Sequence, residues 1–239
     1  MNRTLAHVRW ETSLLLRNGE QLLLTVIIPI ALLIGLSVLD IWPDRSDRVS
    51  SAVASVWTVS VLASCFTSLA IATGFERRSG ALRFLATTPL TRLNLLGGKV
   101  IATLVVTVVS IGLVAVVAIP LGWRPTAWVI PALIMCVLAG AALGSWAFVL
   151  AGTLRAEAVL AVANGIFLVL LLVGGVVVPL DRLPEPLSVI ATYLPTGALG
   201  EALTALLVDS SLPGWQPIIV LGAWLLAGLA VARRTFRWS

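Results

Sequence analysis

From Val100 to Leu121 the chain reads VIATLVVTVVSIGLVAVVAIPL, twenty-two residues without one Asp, Glu, Lys or Arg. A helix rises about 1.5 Å per residue and the hydrocarbon core of a bilayer is about 30 Å thick, so this stretch is long enough to cross it. Lys99 stands immediately before it, the one lysine in a chain with fifteen arginines. A cation there anchors the start of the span at the membrane surface.

On either side, further runs free of charge occupy Gln21–Leu39, Ser51–Thr73, Ala127–Ala151, Ala158–Leu180 and Trp215–Ala232. The chain is 59% hydrophobic and 11% charged, against roughly 45–50% apolar and about 25% charged residues in soluble domains. A soluble fold could not hide that much apolar surface. The pattern predicts an all-α integral membrane protein of six transmembrane helices forming one domain over residues 1–239.

Ahead of the first span, Leu5, Val8, Thr12, Leu15 and Leu16 fall on one side of a helix and Arg3, His7, Trp10 and Arg17 largely opposite. This predicts an amphipathic helix lying in the membrane interface. The first apolar run ends in Asp40-Ile41-Trp42-Pro43 rather than a small-residue cleavage site, so it is expected to be retained. Cys65 and Cys136 both fall inside apolar runs, where they read as small hydrophobes.

Charge sets the orientation. The first, third, fifth and seventh connections in chain order carry twelve bases against Glu11, Glu20, Glu76 and Glu157, whereas the other three carry four bases against seven acids. By the positive-inside rule both termini are expected in the cytoplasm. The net charge of +5 is thereby accounted for as topology, and no nucleic-acid partner is expected. The predominance of arginine over lysine, with abundant Ala, Val, Leu and Gly, points to a bacterial source and hence to the inner membrane.

Two connections are too long to be turns. The outer one, from Asp181 to Gly214, carries one helical stripe of Leu183, Leu187, Ile190 and Leu194 and another of Leu199, Ala202, Leu203 and Leu206, separated by Pro195. It predicts two short re-entrant helices before the last span, shielded from lipid by their neighbours.

The inner connection, residues 74–99, reads GFERRSGALRFLATTPLTRLNLLGGK. Ala81 to Thr87 can form about two helical turns, stopped before Pro89 because proline disfavours helical geometry in Thr88 and lacks an amide donor. Leu82 and Leu85 share a face of that helix. Held between two spans, it suits a groove on a soluble partner; a basic loop that only enforces orientation is the other reading of the same residues. Gly97-Gly98-Lys99 is no phosphate-binding loop, since Leu93 and Val100 stand where a glycine and a Ser or Thr are needed.

In Glu76-Arg77, Gly80, Leu82, Leu85, Thr88-Pro89 and Gly98-Lys99 the segment resembles the cytoplasmic loop of ATP-binding-cassette export permeases of the second type, a family that includes drug and polysaccharide exporters. Arg78 and Arg83 depart from it, standing where the family frequently has glutamate. The resemblance implies that the loop contributes a coupling helix, with Glu76, Arg77, Gly80, Leu82, Leu85, Thr88 and Pro89 as its ATPase-coupling residues. It also implies ATP-binding-cassette ATPase subunits on separate chains, and two permease chains per transporter, as a homodimer or with a sister permease.

The absence of charge within the spans fits transport powered from outside the membrane. A proton-driven carrier needs a titratable group near the midplane, and a membrane enzyme needs clustered acids, histidines or nucleophiles. The one histidine, His7, has no cysteine, histidine or acid at metal-ligand spacing, so neither enzymatic activity nor a cofactor is expected. Polar residues within spans, Thr107, Ser110 and Asn164, are candidates for the substrate path, with helix packing as the other reading. The expected function is the permease subunit of an exporter of apolar or amphipathic cargo: a drug, a lipid or a lipid-linked glycan. The alternatives are a haem-export-type permease subunit and a non-transporting membrane anchor for an ATPase.

Overall fold

The computed structural model describes residues 3–19, 23–38, 48–81, 92–175 and 184–235. Among them all regular structure is helical. The N-terminal helix α1 (Arg3–Arg17) precedes a π-helical turn, Leu23–Ile27, that runs into α2 (Ile28–Val38). The helix α3 (Arg48–Arg78) contains a π-helical stretch at Leu62–Ser68. It is followed by α4 (Arg92–Ala118), α5 (Val129–Thr153), α6 (Ala156–Val173), the short pair α7 (Glu185–Thr192) and α8 (Pro195–Leu207), and α9 (Trp215–Thr235).

Five helices, α3, α4, α5, α6 and α9, are long and apolar enough to cross a membrane. The predicted first span is described over residues 23–38, where Thr25–Val38 forms a shorter apolar helix. Five of the six sequence-derived spans thus coincide with full-length helices. The periodic apolar composition that lipid imposes is enough to place them.

The bundle is assembled on small residues. In α5, Ala132, Ala139, Ala142, Ala147 and Ala151 are fully buried, and α3, α4, α8 and α9 pack around this helix. In lipid the hydrophobic effect gives no preference for apolar residues between helices, so close backbone approach and hydrogen bonds take over. Helix α4 shows the resulting polarity: Ile101, Val105, Val109 and Val116 are exposed, while Thr103, Thr107 and Ser110 are buried.

The pair α7 and α8 bends by 86°. Pro195 occupies the first turn of α8 after Leu194 in extended geometry, the arrangement for which a proline without an amide hydrogen is suited. The corner closes tightly: a Cβ on Gly197 would lie 1.9 Å from the Ala191 carbonyl oxygen. The Thr196 hydroxyl donates to the Leu170 carbonyl at 3.2 Å, docking the corner on α6.

The two predicted stripes of this pair meet different fates. Leu199, Ala202, Leu203 and Leu206 are fully buried, whereas Leu187 and Ile190 of α7 are exposed beside Val189 and Tyr193; Leu183 lies outside the described residues. Leu194, the last of that first stripe, is half-buried against the core.

Candidate functional site

Helix α3 ends where the sequence places its chemistry. Glu76 and Arg77 occupy its last turn, and Gly80 follows with φ +79°. A left-handed residue after a helix end is the usual stop signal, and glycine adopts it without steric cost. Ser79 supports the stop: its amide donates to the Phe75 carbonyl at 2.9 Å and its hydroxyl to the Glu76 carbonyl at 3.0 Å. Leu82, Leu85, Thr88 and Pro89, the rest of the sequence-derived coupling set, lie outside the described residues, as does the helix expected there beyond Ala81.

Neighbouring side chains on this last turn fasten α3 in two directions. Arg77 donates through Nη2 to the carbonyl of Leu154, in the link between α5 and α6. Arg78 pairs through Nη1 with Oε1 of Glu157 in the first turn of α6, with both side chains largely exposed. Glu76 turns the other way. Its Oε1 accepts from Lys99 Nζ at 2.9 Å, and its Oε2 lies 2.8 Å from the same nitrogen.

Lys99 has a second partner. Its Nζ donates to Oε1 of Glu11 at 2.8 Å. The side chains of Lys99 and Glu11 are 5% and 8% exposed, that of Glu76 32%, so two carboxylates from different elements converge on one sequestered ammonium.

His7, one turn before Glu11, is also buried, with Nε2 3.7 Å from Glu11 Oε1, so an acid does stand beside the histidine, against the sequence reading. Gly98 makes room for it: a Cβ there would come within 2.5 Å of His7 Cδ2. Beside Lys99 and Glu76 a small cavity of about 40 Å³ is lined by Ser64, Ser68, Thr73 and Thr103. That volume is enough for a water molecule among these hydroxyls.

Helix α1 turns its polar pair inward. The helix packs on α4 through His7 and Glu11, with Val8, Thr12 and Leu15 half-buried beside them, while Leu5 and Leu16 of the expected apolar stripe are exposed. Its inward face is rotated from the apolar one toward the polar pair. Buried charge, rather than apolar area alone, decides how it is seated.

The sequence-derived candidates for a substrate path do not come together. Thr107 and Ser110 are buried on α4. The Thr107 hydroxyl donates to the Thr103 carbonyl at 2.8 Å and lies 3.6 Å from Cys65 Sγ, and Ser110 donates to the Thr25 carbonyl. Both touch a π-helical stretch, a geometry that frees backbone groups and recurs at functional sites. Asn164 instead faces outward from α6, its amide donating to the Leu160 carbonyl at 2.9 Å.

Sequence reasoning missed Glu11, His7, Leu154 and Glu157 as parts of this site. A signal was available for the first: a lone lysine before an apolar span demands an anion, and Glu11 on the N-terminal helix is one of the few acids that the sequence reading places on the same side of the membrane.

Comparison with known proteins bears on most of the chain. A family model described as ABC-2 type transporter matches residues 3–208, which include α1, the Glu76–Lys99 segment and the bent pair. A protein of Bacillus subtilis (strain 168) named "Putative transport permease YvfS" is 25% identical over 237 residues, covering 93% of this chain and 92% of that protein.

Proposed function

Since the chain belongs to the ABC-2 type transporter family, we propose that it is the permease subunit of an ATP-driven exporter whose ATPase is a separate polypeptide. The observation that carries this reading is the anchorage of the segment between α3 and α4. Its first residues are fastened by Arg77 to Leu154, and both its flanks are joined through Glu76 and Lys99. A docking helix can move the spans only if its ends are fixed to them.

In this reading Leu82 and Leu85 are the apolar anchors for an ATP-binding-cassette ATPase, and Gly80 sets the direction in which the segment leaves α3. The segment and both termini face the cytoplasm of a bacterial cell, as the charge asymmetry supports. Helix α1 lies against the membrane surface, and α7 and α8 form the re-entrant pair on the outer side. Two permease chains, identical or sister, enclose the path. The cargo is apolar or amphipathic, in keeping with spans that present aliphatic and hydroxyl side chains.

The test is the paired change Leu82→Asp with Leu85→Asp, made in the chain expressed with its ATPase. Burying a leucine contributes roughly 1.5–3 kcal/mol, so exchanging both for aspartate removes several kcal/mol from docking. The variant is expected to reach the membrane, lose the ATPase on purification and lose ATP-dependent transport. Retention of both properties would refute this reading.

A further inference from the structure

The buried ion triad has no counterpart in what a transporter needs for packing alone. Helix α1 could be held on α4 by aliphatic contacts, which avoid the cost of withdrawing three charges from water; buried ion pairs are commonly no more stabilising than well-packed apolar residues. What the charges add is a fixed geometry. Lys99 Nζ sits 2.8 Å from Glu11 Oε1 and 2.8 Å from Glu76 Oε2, so one atom fixes α1, the end of α3 and the second turn of α4 relative to each other. Gly98 allows His7 to approach at the same level.

We propose that Lys99 is a positioning residue that makes α1 a working part of the coupling device: through Glu11 and Glu76 it holds α1 and both flanks of the connection between α3 and α4 as one unit. This rests on the reading of that connection as the ATPase-docking segment. A push on the segment is delivered at Glu76 and Lys99, and passes to α1 through the Glu11 arm. Arg77 and Arg78 carry the same push separately to α5 and α6.

The experiment uses the chain with its ATPase and spin labels at Ser13 and Ser79, both exposed and on the two units the triad joins. The parent should give one narrow distance distribution, unchanged by ATP. Glu11→Met removes the arm to α1 and leaves Lys99 and Glu76 as a balanced pair, and it should broaden that distribution. Transport per ATP hydrolysed should fall several-fold while the ATPase still co-purifies. The neutral triple variant Glu11→Gln, Lys99→Met, Glu76→Gln should behave alike, so the result does not depend on one variant folding.

A distribution that stays narrow in these variants overturns the tether, and parental transport per ATP overturns its role in coupling. The Leu82→Asp, Leu85→Asp variant keeps the triad intact. If that variant alone behaves as the parent, the docking assignment fails while the tether is still read from the label distances.

Discussion

Glu11 and Lys99 are separated by 88 residues and meet at 2.8 Å in a setting where neither side chain is more than 8% exposed. Removing the cation alone leaves the sequestered Glu11 carboxylate unpaired beside the partly exposed Glu76. Lys99→Met should therefore destabilise the chain by about 3–5 kcal/mol, the usual cost of orphaning a buried charge. The triple neutral variant should recover most of that loss, because no unpaired charge remains. Thermal unfolding in detergent of both variants beside the parent checks the sign; a triple variant less stable than Lys99→Met would contradict the account.

Orientation is tested by labelling single cysteines in intact cells. Ser79 and Ser211 are both exposed and lie on opposite sides in the proposed topology. A membrane-impermeant thiol reagent should modify Ser211→Cys and spare Ser79→Cys until the cells are opened. The native Cys65 and Cys136 are buried and should give no background. Modification of Ser79→Cys from outside would invert the assignment.

The stop at Gly80 gives a graded prediction. An alanine at φ +79° costs about 1–2 kcal/mol in the left-handed region, which weakens but does not abolish the turn. Proline, with φ fixed near −65°, cannot adopt it and must redirect the following segment. ATPase co-purification should be reduced modestly by Gly80→Ala and severely by Gly80→Pro. Equal effects of the two would mean that the direction of the segment is immaterial.

Two glycines of α8 provide a matched pair. A Cβ at Gly200 meets nothing within 4 Å, whereas one at Gly197 would lie 1.9 Å from a backbone oxygen. Gly200→Ala should be neutral or stabilising by up to about 1 kcal/mol from helix propensity. Gly197→Ala gains the same propensity but forces the corner open, and should destabilise by about 1–3 kcal/mol. Unfolding midpoints of the two variants in detergent decide whether the 86° bend is set by this contact.

The spans were legible in the sequence because lipid writes its demand into composition: a run such as Val100–Leu121 admits few other readings. The segment 74–99 was singled out by its position between two spans and its motif residues, of which only those up to Ala81 and from Arg92 are described. The partners within it were not. Glu76 and Arg77 are adjacent yet reach toward α4 and the link between α5 and α6 respectively, a divergence that spacing along a helix does not reveal. The seating of α1 on α4 was not legible for a related reason. Sequence periodicity finds the apolar side of a helix, but beside a membrane that side is not obliged to face the protein, and here His7 and Glu11 do.

One hydrogen bond bears on the order in which the molecule is built. The indole of Trp224 donates to the Tyr193 carbonyl at 2.9 Å, and its own carbonyl accepts from the Trp146 indole at 3.0 Å. The backbone at the end of α7 is synthesised about thirty residues before the group that satisfies it, and an unpaired carbonyl is costly to leave in an apolar medium. The corner thus waits, one bond short, for a helix made after it: a ribosome that stops before Trp224 leaves the Tyr193 carbonyl without this donor.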